Sequence, residues 1–369
     1  MSYIGNVSSG FEAVAAALEA SVESGEDLGA SVALVIDGEA IVDIASGFQD
    51  RAKTLPYTPS TLACVYSSGK AVCAALVAWA VSEGKLSYDQ TVASIWPDFA
   101  QAGKGEITVA QALSHQSGLS GFVDPIEPSL WLKWDEICAA IAAMDPLWEP
   151  GSASGYHPQT YGFIAGEIIK RVTGKSVGAH LRAITRDVVC GLSLSEATRV
   201  APMVKPKRPP DLGPMTPIKK AAFLEPWSAP SGVSRQEWSA AEIPASNMHA
   251  SARGLADVMQ LFASGRCGDL VVSDEARAQA WEERISGPDL VLPFNLSWAA
   301  GVMRENGEIF GGPATVIGHY GFGGSCVLAD PARGLSFAYV PNQQSPELVA
   351  DPRATRLVRA VYQALGQTT

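Results

Sequence analysis

Strand-forming sequence lies at the two ends of this chain and helix-forming sequence between them, a distribution that limits the fold more than any single motif. Near the N-terminus two β-branched runs, residues 31–36 and 40–44, flank Asp37-Gly38, a dipeptide that favours a tight hairpin. Strand-like runs return at 298–303, 325–329 and 336–341. Between them, apolar residues recur at helical spacing over 92–99, 108–115, 134–144, 160–172 and 177–189. Helices are also predicted over 11–22, 251–262 and 353–365, and one begins at Lys70 and stops at Gly84. The expectation is an α+β protein. Residues 1–86 and 245–369 would form a discontinuous sheet domain flanked by helices, and 87–204 an inserted all-helical domain. The proline-rich stretch within 205–244 is too long for a passive connector and reads as a loop or lid. Substrate would bind where the two domains meet.

Composition narrows the function. A chain of 369 residues with 47% hydrophobic and 18% charged residues can bury a large core and is not disordered. No apolar run reaches the roughly 18 residues of a membrane span, and residues 1–6 lack the basic and apolar segments of a signal peptide. No membrane association and a cytoplasmic location are therefore expected. A net charge of −11 repels phosphate backbones, so no nucleic-acid partner is expected, and small neutral or cationic substrates remain open. The six cysteines are scattered without a C-x-x-C pair and read as buried small hydrophobes. Neither disulfides nor a metal site is expected.

Three segments carry chemistry. Ser67 precedes Lys70 by three residues at the mouth of an apolar helix, a spacing that puts hydroxyl and amine on one face. A partly desolvated lysine can take a serine proton, and the helix N-terminus suits an oxyanion. The plainer alternative is that Ser67 or Ser68 caps the helix and Lys70 is solvated. Tyr156 lies in a Gly/Ser/Pro loop before another helix. Beside a lysine ammonium its pKa would fall, letting it relay the proton; otherwise it anchors the loop. The third segment is Gly318-His319-Tyr320-Gly321-Phe322-Gly323-Gly324-Ser325, where the N–H of Phe322 could join that of Ser67 in an oxyanion hole. A glycine-rich turn with a satisfied histidine explains that segment alone equally well.

Together these segments, in this order, resemble the serine β-lactamase and penicillin-binding-protein superfamily. The nearest subgroup is its class C-like branch, with the family VIII carboxylesterases. Leu113-Ser114-His115-Gln116-Ser117-Gly118-Leu119 is similar to the family's Leu-x-x-His-x-Ser-Gly-Leu segment, and the resemblance covers roughly residues 10 to 365. It implies a β-lactamase/transpeptidase-like fold with a mainly antiparallel sheet. It also implies that Ser67 is acylated, that Lys70 and Tyr156 move the proton, and that His319, Gly321 and Phe322 border the substrate, without a cofactor. Class C β-lactamases have Tyr-x-Asn where this chain has Tyr156-His157-Pro158, and many relatives have lysine where it has His319. Proline has no side-chain donor and histidine is no fixed cation. Both departures point to short uncharged esters, hence a carboxylesterase. The alternatives are β-lactam or D-peptide hydrolysis, acyl transfer, or a non-catalytic penicillin-recognising module.

Gly174-Lys175-Ser176-Val177-Gly178 matches the G-x-S-x-G of lipases, but a helix precedes it where that motif needs a strand. It reads as a helix–helix corner with Gly174 ending one helix and Ser176 capping the next. His115 and His180 belong to helices or helix ends, and Ser246, Asn247 and His249 are expected to cap, with an approach to the cleft as the other possibility.

Overall fold

A computed structural model describes residues 2–366. The two strand-rich ends of the chain meet in one antiparallel sheet of nine strands. These are β1 (Ile4–Val7), β2 (Gly29–Ile36), β3 (Glu39–Gly47), β4 (Ile285–Pro288), β5 (Asn295–Trp298), β6 (Met303–Arg304), β7 (Ile317–Tyr320), β8 (Cys326–Asp330) and β9 (Leu335–Pro341). Their spatial order is β1-β3-β2-β9-β8-β7-β6-β5-β4. The join between the ends is β2 against β9, in register from Ile36 opposite Leu335 to Ala30 opposite Pro341. Asp37 and Gly38 turn β2 into β3 with φ of 47° and 84°, the left-handed geometry that matches strand twist.

Alternation along β2 divides the core. Val32 and Leu34 face α1 (Glu12–Glu23) and the C-terminal helix Pro352–Ala364, whereas Ala33 and Val35 face the opposite layer. That layer holds α2 (Gly69–Ser82), which packs between the helices Thr160–Thr173 and Ala252–Ala263. All its residues from Gly69 to Ala78 are buried, as expected of a helix that is apolar on every side. All six cysteines are free and buried. No helix among the described residues is long and apolar enough to cross a membrane.

Several local expectations need correction. The helix expected over 92–99 ends at Ile95, and Pro97 starts a 3₁₀ segment. The helix expected over 177–189 ends at Ile184, and Val188–Val189 pairs with His249–Ala250, which also pairs with Ala63–Cys64. Strands of two residues carry no period, so only distant partners define them. The single strand expected over 298–303 is the end of β5 and the start of β6, reversed where the Ala299 N–H donates to the Val302 carbonyl. The proline-rich stretch contains a π-helical turn, Lys220–Leu224, and a helix, Arg235–Ala240. It is tied down by the indole of Trp227, which donates to the carbonyl of Phe122.

Candidate active site

The strand Ala63–Cys64 feeds a 3₁₀ turn, Tyr66–Ser68, that runs directly into α2. Tyr66 adopts φ of +45°, an unfavourable conformation for a tyrosine that brings Ser67 out of the strand direction. Ser67 is partly exposed to a cavity; Lys70, one turn on, is fully buried. The Lys70 Nζ lies 2.9 Å from Ser67 Oγ and donates to the carbonyls of Pro158 at 2.9 Å and Ala245 at 3.3 Å. No carboxylate offsets its charge among the described residues. Burial therefore holds its pKa well below the usual lysine range. In its neutral form the amine has two N–H groups for the two carbonyls and a lone pair for the Ser67 hydroxyl. The solvated-lysine alternative is excluded.

Tyr156 stands beside this pair, its ring centroid 4.6 Å from Nζ. A hydrogen-bonding interaction with Ser67 favours the phenolate, but burial dominates and pushes the phenol above its ordinary range. The lowered tyrosine pKa expected from an adjacent ammonium is thus not what the site shows. The reason is that both groups are buried, and desolvation disfavours the charged form of each. Tyr156, His115, Trp298 and His319 pack ring against ring, with Tyr156 and Trp298 stacked at 6.1 Å. Sequence reading placed His115 in a helix-end loop within the family-like segment 113–119 and gave it no role in the site. Its Nδ1 accepts the N–H of His157, so it supports the Tyr156 loop. His157 donates from Nδ1 to the Gly155 carbonyl, and its Nε2 accepts from Leu119 N–H and lies 2.8 Å from Ser117 Oγ.

The glycine-rich segment ends β7 against the Ser67 turn. A Cβ on Gly321 would lie 2.0 Å from the Val65 carbonyl oxygen, so only glycine permits this approach. Gly321 does not line the cavity; its part is to let the backbones meet. Ser325 Oγ donates to the same carbonyl at 2.8 Å and lies 2.9 Å from Ser68 Oγ. Phe322 and His319 do border the cavity, with Ser67 and Tyr156. Among the described residues, the N–H groups of Ser67 and Phe322 donate to no acceptor of the chain. His319 is buried, and its Nδ1 must carry the hydrogen because it faces the Tyr320 carbonyl at 2.6 Å. Burial, the largest cause, lowers its pKa to about 3, so it is neutral near pH 7.

The cavity measures about 240 Å³ and is mostly apolar, walled in part by Phe223, Leu292, Met303 and Leu348. Phe223 comes from the π-helical turn in the proline-rich stretch. Ser246 and Gln159 also line it, and the Ser246 hydroxyl donates to the Gln159 side chain. Sequence reading missed the carbonyls of Pro158 and Ala245, which no side-chain motif could reveal. Ser176 is elsewhere: it caps Val177–Ile184 and donates to Glu242 at 2.8 Å, and Gly174 ends the preceding helix at φ of 74°. His249 pairs with Cys64 in the small sheet, and Asn247 bonds backbone groups of 238–243.

The sequence model of one protein family, Beta-lactamase, matches residues 14–361. The chain belongs to the beta-lactamase family. Its fold is that family's, and with it comes the coarse function of a hydrolase. A penicillin-binding protein homolog from Caulobacter crescentus is 46% identical, with a TM-score of 0.94 over 99% of this chain and 100% of that one. A family VIII carboxylesterase is 34% identical, with a TM-score of 0.92 over the same shares. The esterase/beta-lactamase LipL of Mycobacterium tuberculosis is 27% identical over 354 residues, 88% of this chain and 80% of that protein.

Proposed function

We propose that this beta-lactamase-family protein hydrolyses short-chain, uncharged carboxylic esters through an acyl-enzyme on Ser67. The observation that carries the reading is the 2.9 Å contact between the Ser67 hydroxyl and a fully buried amine whose pKa burial lowers well below the usual lysine range. Neutral Lys70 takes the hydroxyl proton as Oγ attacks the ester carbonyl. The N–H groups of Ser67 and Phe322 receive the developing oxyanion. Tyr156, protonated and next to both groups, passes a proton to the leaving alkoxide, and alcohol departs. Water then attacks the acyl carbon, returns a proton through the same groups and frees the acid and Ser67.

Uncharged substrates follow from the walls. Among the described residues no Lys, Arg, Asp or Glu side chain lines the cavity, and burial lowers the His319 pKa to about 3, so a substrate carboxylate would be desolvated without a partner. The carboxylesterase and esterase relatives support the reaction class. The double name of LipL favours β-lactam hydrolysis as the second reading. An active-site serine probe should label Ser67. Ser67→Ala should abolish turnover of p-nitrophenyl acetate and butyrate, and Ser176→Ala should leave it. Nitrocefin turned over faster than either ester would favour the second reading, and acylation with no steady state would point to a non-catalytic binding module.

A further inference from the structure

Tyr156 is ringed by side chains that fix its plane, yet its backbone is held by a residue from the far edge of the sheet. Lys70, His115, Trp298 and His319 face its ring from four separate segments. Ring stacking tolerates sliding, so these contacts leave the phenol free to shift within its plane. Asp289, just beyond β4, restrains the Tyr156 backbone. Its Oδ1 accepts the N–H of Tyr156 at 2.9 Å, together with those of Val291 and Leu292, each also at 2.9 Å. Alongside, the Leu290 N–H donates to the Ser154 carbonyl at 2.9 Å. Asp289 is only 8% exposed. A carboxylate is costly to bury unless hydrogen bonds compensate it, and these bonds converge on two cavity walls, Tyr156 and Leu292.

We propose that Asp289 is the positioning residue for the Tyr156 phenol. By accepting the N–H groups of Tyr156 and Leu292 on one oxygen, it fixes the phenol relative to Ser67 and to the facing apolar wall. The inference rests on the acyl-enzyme reading above. A proton relay needs its heavy atoms within hydrogen-bond reach, and a displacement of about 1 Å can cost on the order of 100-fold in rate.

Steady-state kinetics on p-nitrophenyl butyrate, with thermal melts, test this on Asp289→Ala, Asp289→Asn and Glu305→Ala. Glu305 is a control of the same kind. It accepts the N–H groups of Gly307, Ile309, Phe310 and Gly311, and none of those residues lines the cavity. Asp289→Ala is expected to lower kcat about 100-fold with KM within about threefold. Asp289→Asn, whose amide oxygen still accepts N–H groups, should recover most of kcat. Glu305→Ala should lose melting temperature with kcat kept. Asp289→Leu replaces Asp289→Ala if the latter does not fold. The inference is overturned if Asp289→Ala keeps kcat, if its loss falls on KM alone, or if Asp289→Asn falls as far as Asp289→Ala. A wild-type protein inactive on short esters sinks the acyl-enzyme reading and this inference with it; an active one with a silent Asp289 sinks the inference alone.

Discussion

At the scale of single residues, the site is a set of basic groups whose pKa values burial lowers. Burial lowers the pKa of Lys70 well below the usual lysine range and those of His157 and His319 to about 3. Those histidines couple stability to pH. Between their ordinary value of 6.5 and about 3, the unfolded chain binds protons that the folded chain does not. Their contribution is therefore complete above pH 6.5 and is lost as pH falls through that window. The urea midpoint should decline on acidification below 6.5, and a midpoint flat down to pH 4 would contradict the burial argument. The residue types were legible in the sequence, since Ser67, Lys70 and Tyr156 converge as their spacing and resemblance implied. Their protonation was not, because desolvation depends on neighbours that are distant in sequence.

At the scale of elements, two segments decide whether the serine has a usable pocket. The close approach of the end of β7 to the Ser67 turn requires the glycine at 321. Gly321→Ala would place a Cβ 2.0 Å from a backbone oxygen, and one of the two segments would have to move. Activity should fall by a factor of about 100 or more, in keeping with the sensitivity of aligned donors to displacement of roughly 1 Å. A Gly321→Ala enzyme with wild-type kcat/KM would show that the oxyanion pair is not set by this contact. The other segment is the π-helical turn Lys220–Leu224, which supplies Phe223 to the cavity wall. Phe223→Ala opens that wall. In a p-nitrophenyl ester series from two to ten carbons, the preferred chain length should rise by about two to four carbons, each added CH₂ being worth roughly 0.8 kcal/mol when buried. An unchanged optimum would remove this turn from the substrate wall. The stretch was expected to be more than a connector from its length. Its inward aromatic was not, because an irregular segment has no period from which to read a face.

At the scale of the whole molecule, a buried charge cluster links the terminal helices to the site. Asp27 accepts from Ser21 at 2.6 Å, from Tyr339 of β9 at 2.8 Å and from Arg353 of the C-terminal helix at 2.8 Å. Arg353 also donates to the Gly323 carbonyl at 2.9 Å, one residue beyond the candidate oxyanion donor Phe322. Asp27→Ala would leave a buried guanidinium short of a partner and should cost about 3–5 kcal/mol in urea unfolding, with kcat reduced as well. A loss below about 1 kcal/mol would mean that Asp351 alone satisfies Arg353. The sequence by itself determined the α+β class, the Asp37-Gly38 hairpin, the corner at Ser176 and the spacing of Ser67 and Lys70. Each follows from local period, turn chemistry or a three-residue interval. Tertiary structure alone decided the two-residue strands, the carbonyls that hold Lys70, the neutrality of the basic groups and the reach of Asp289 to Tyr156. Those depend on groups far apart in the sequence, and burial, which sets their energies, exists only once the chain has closed on itself.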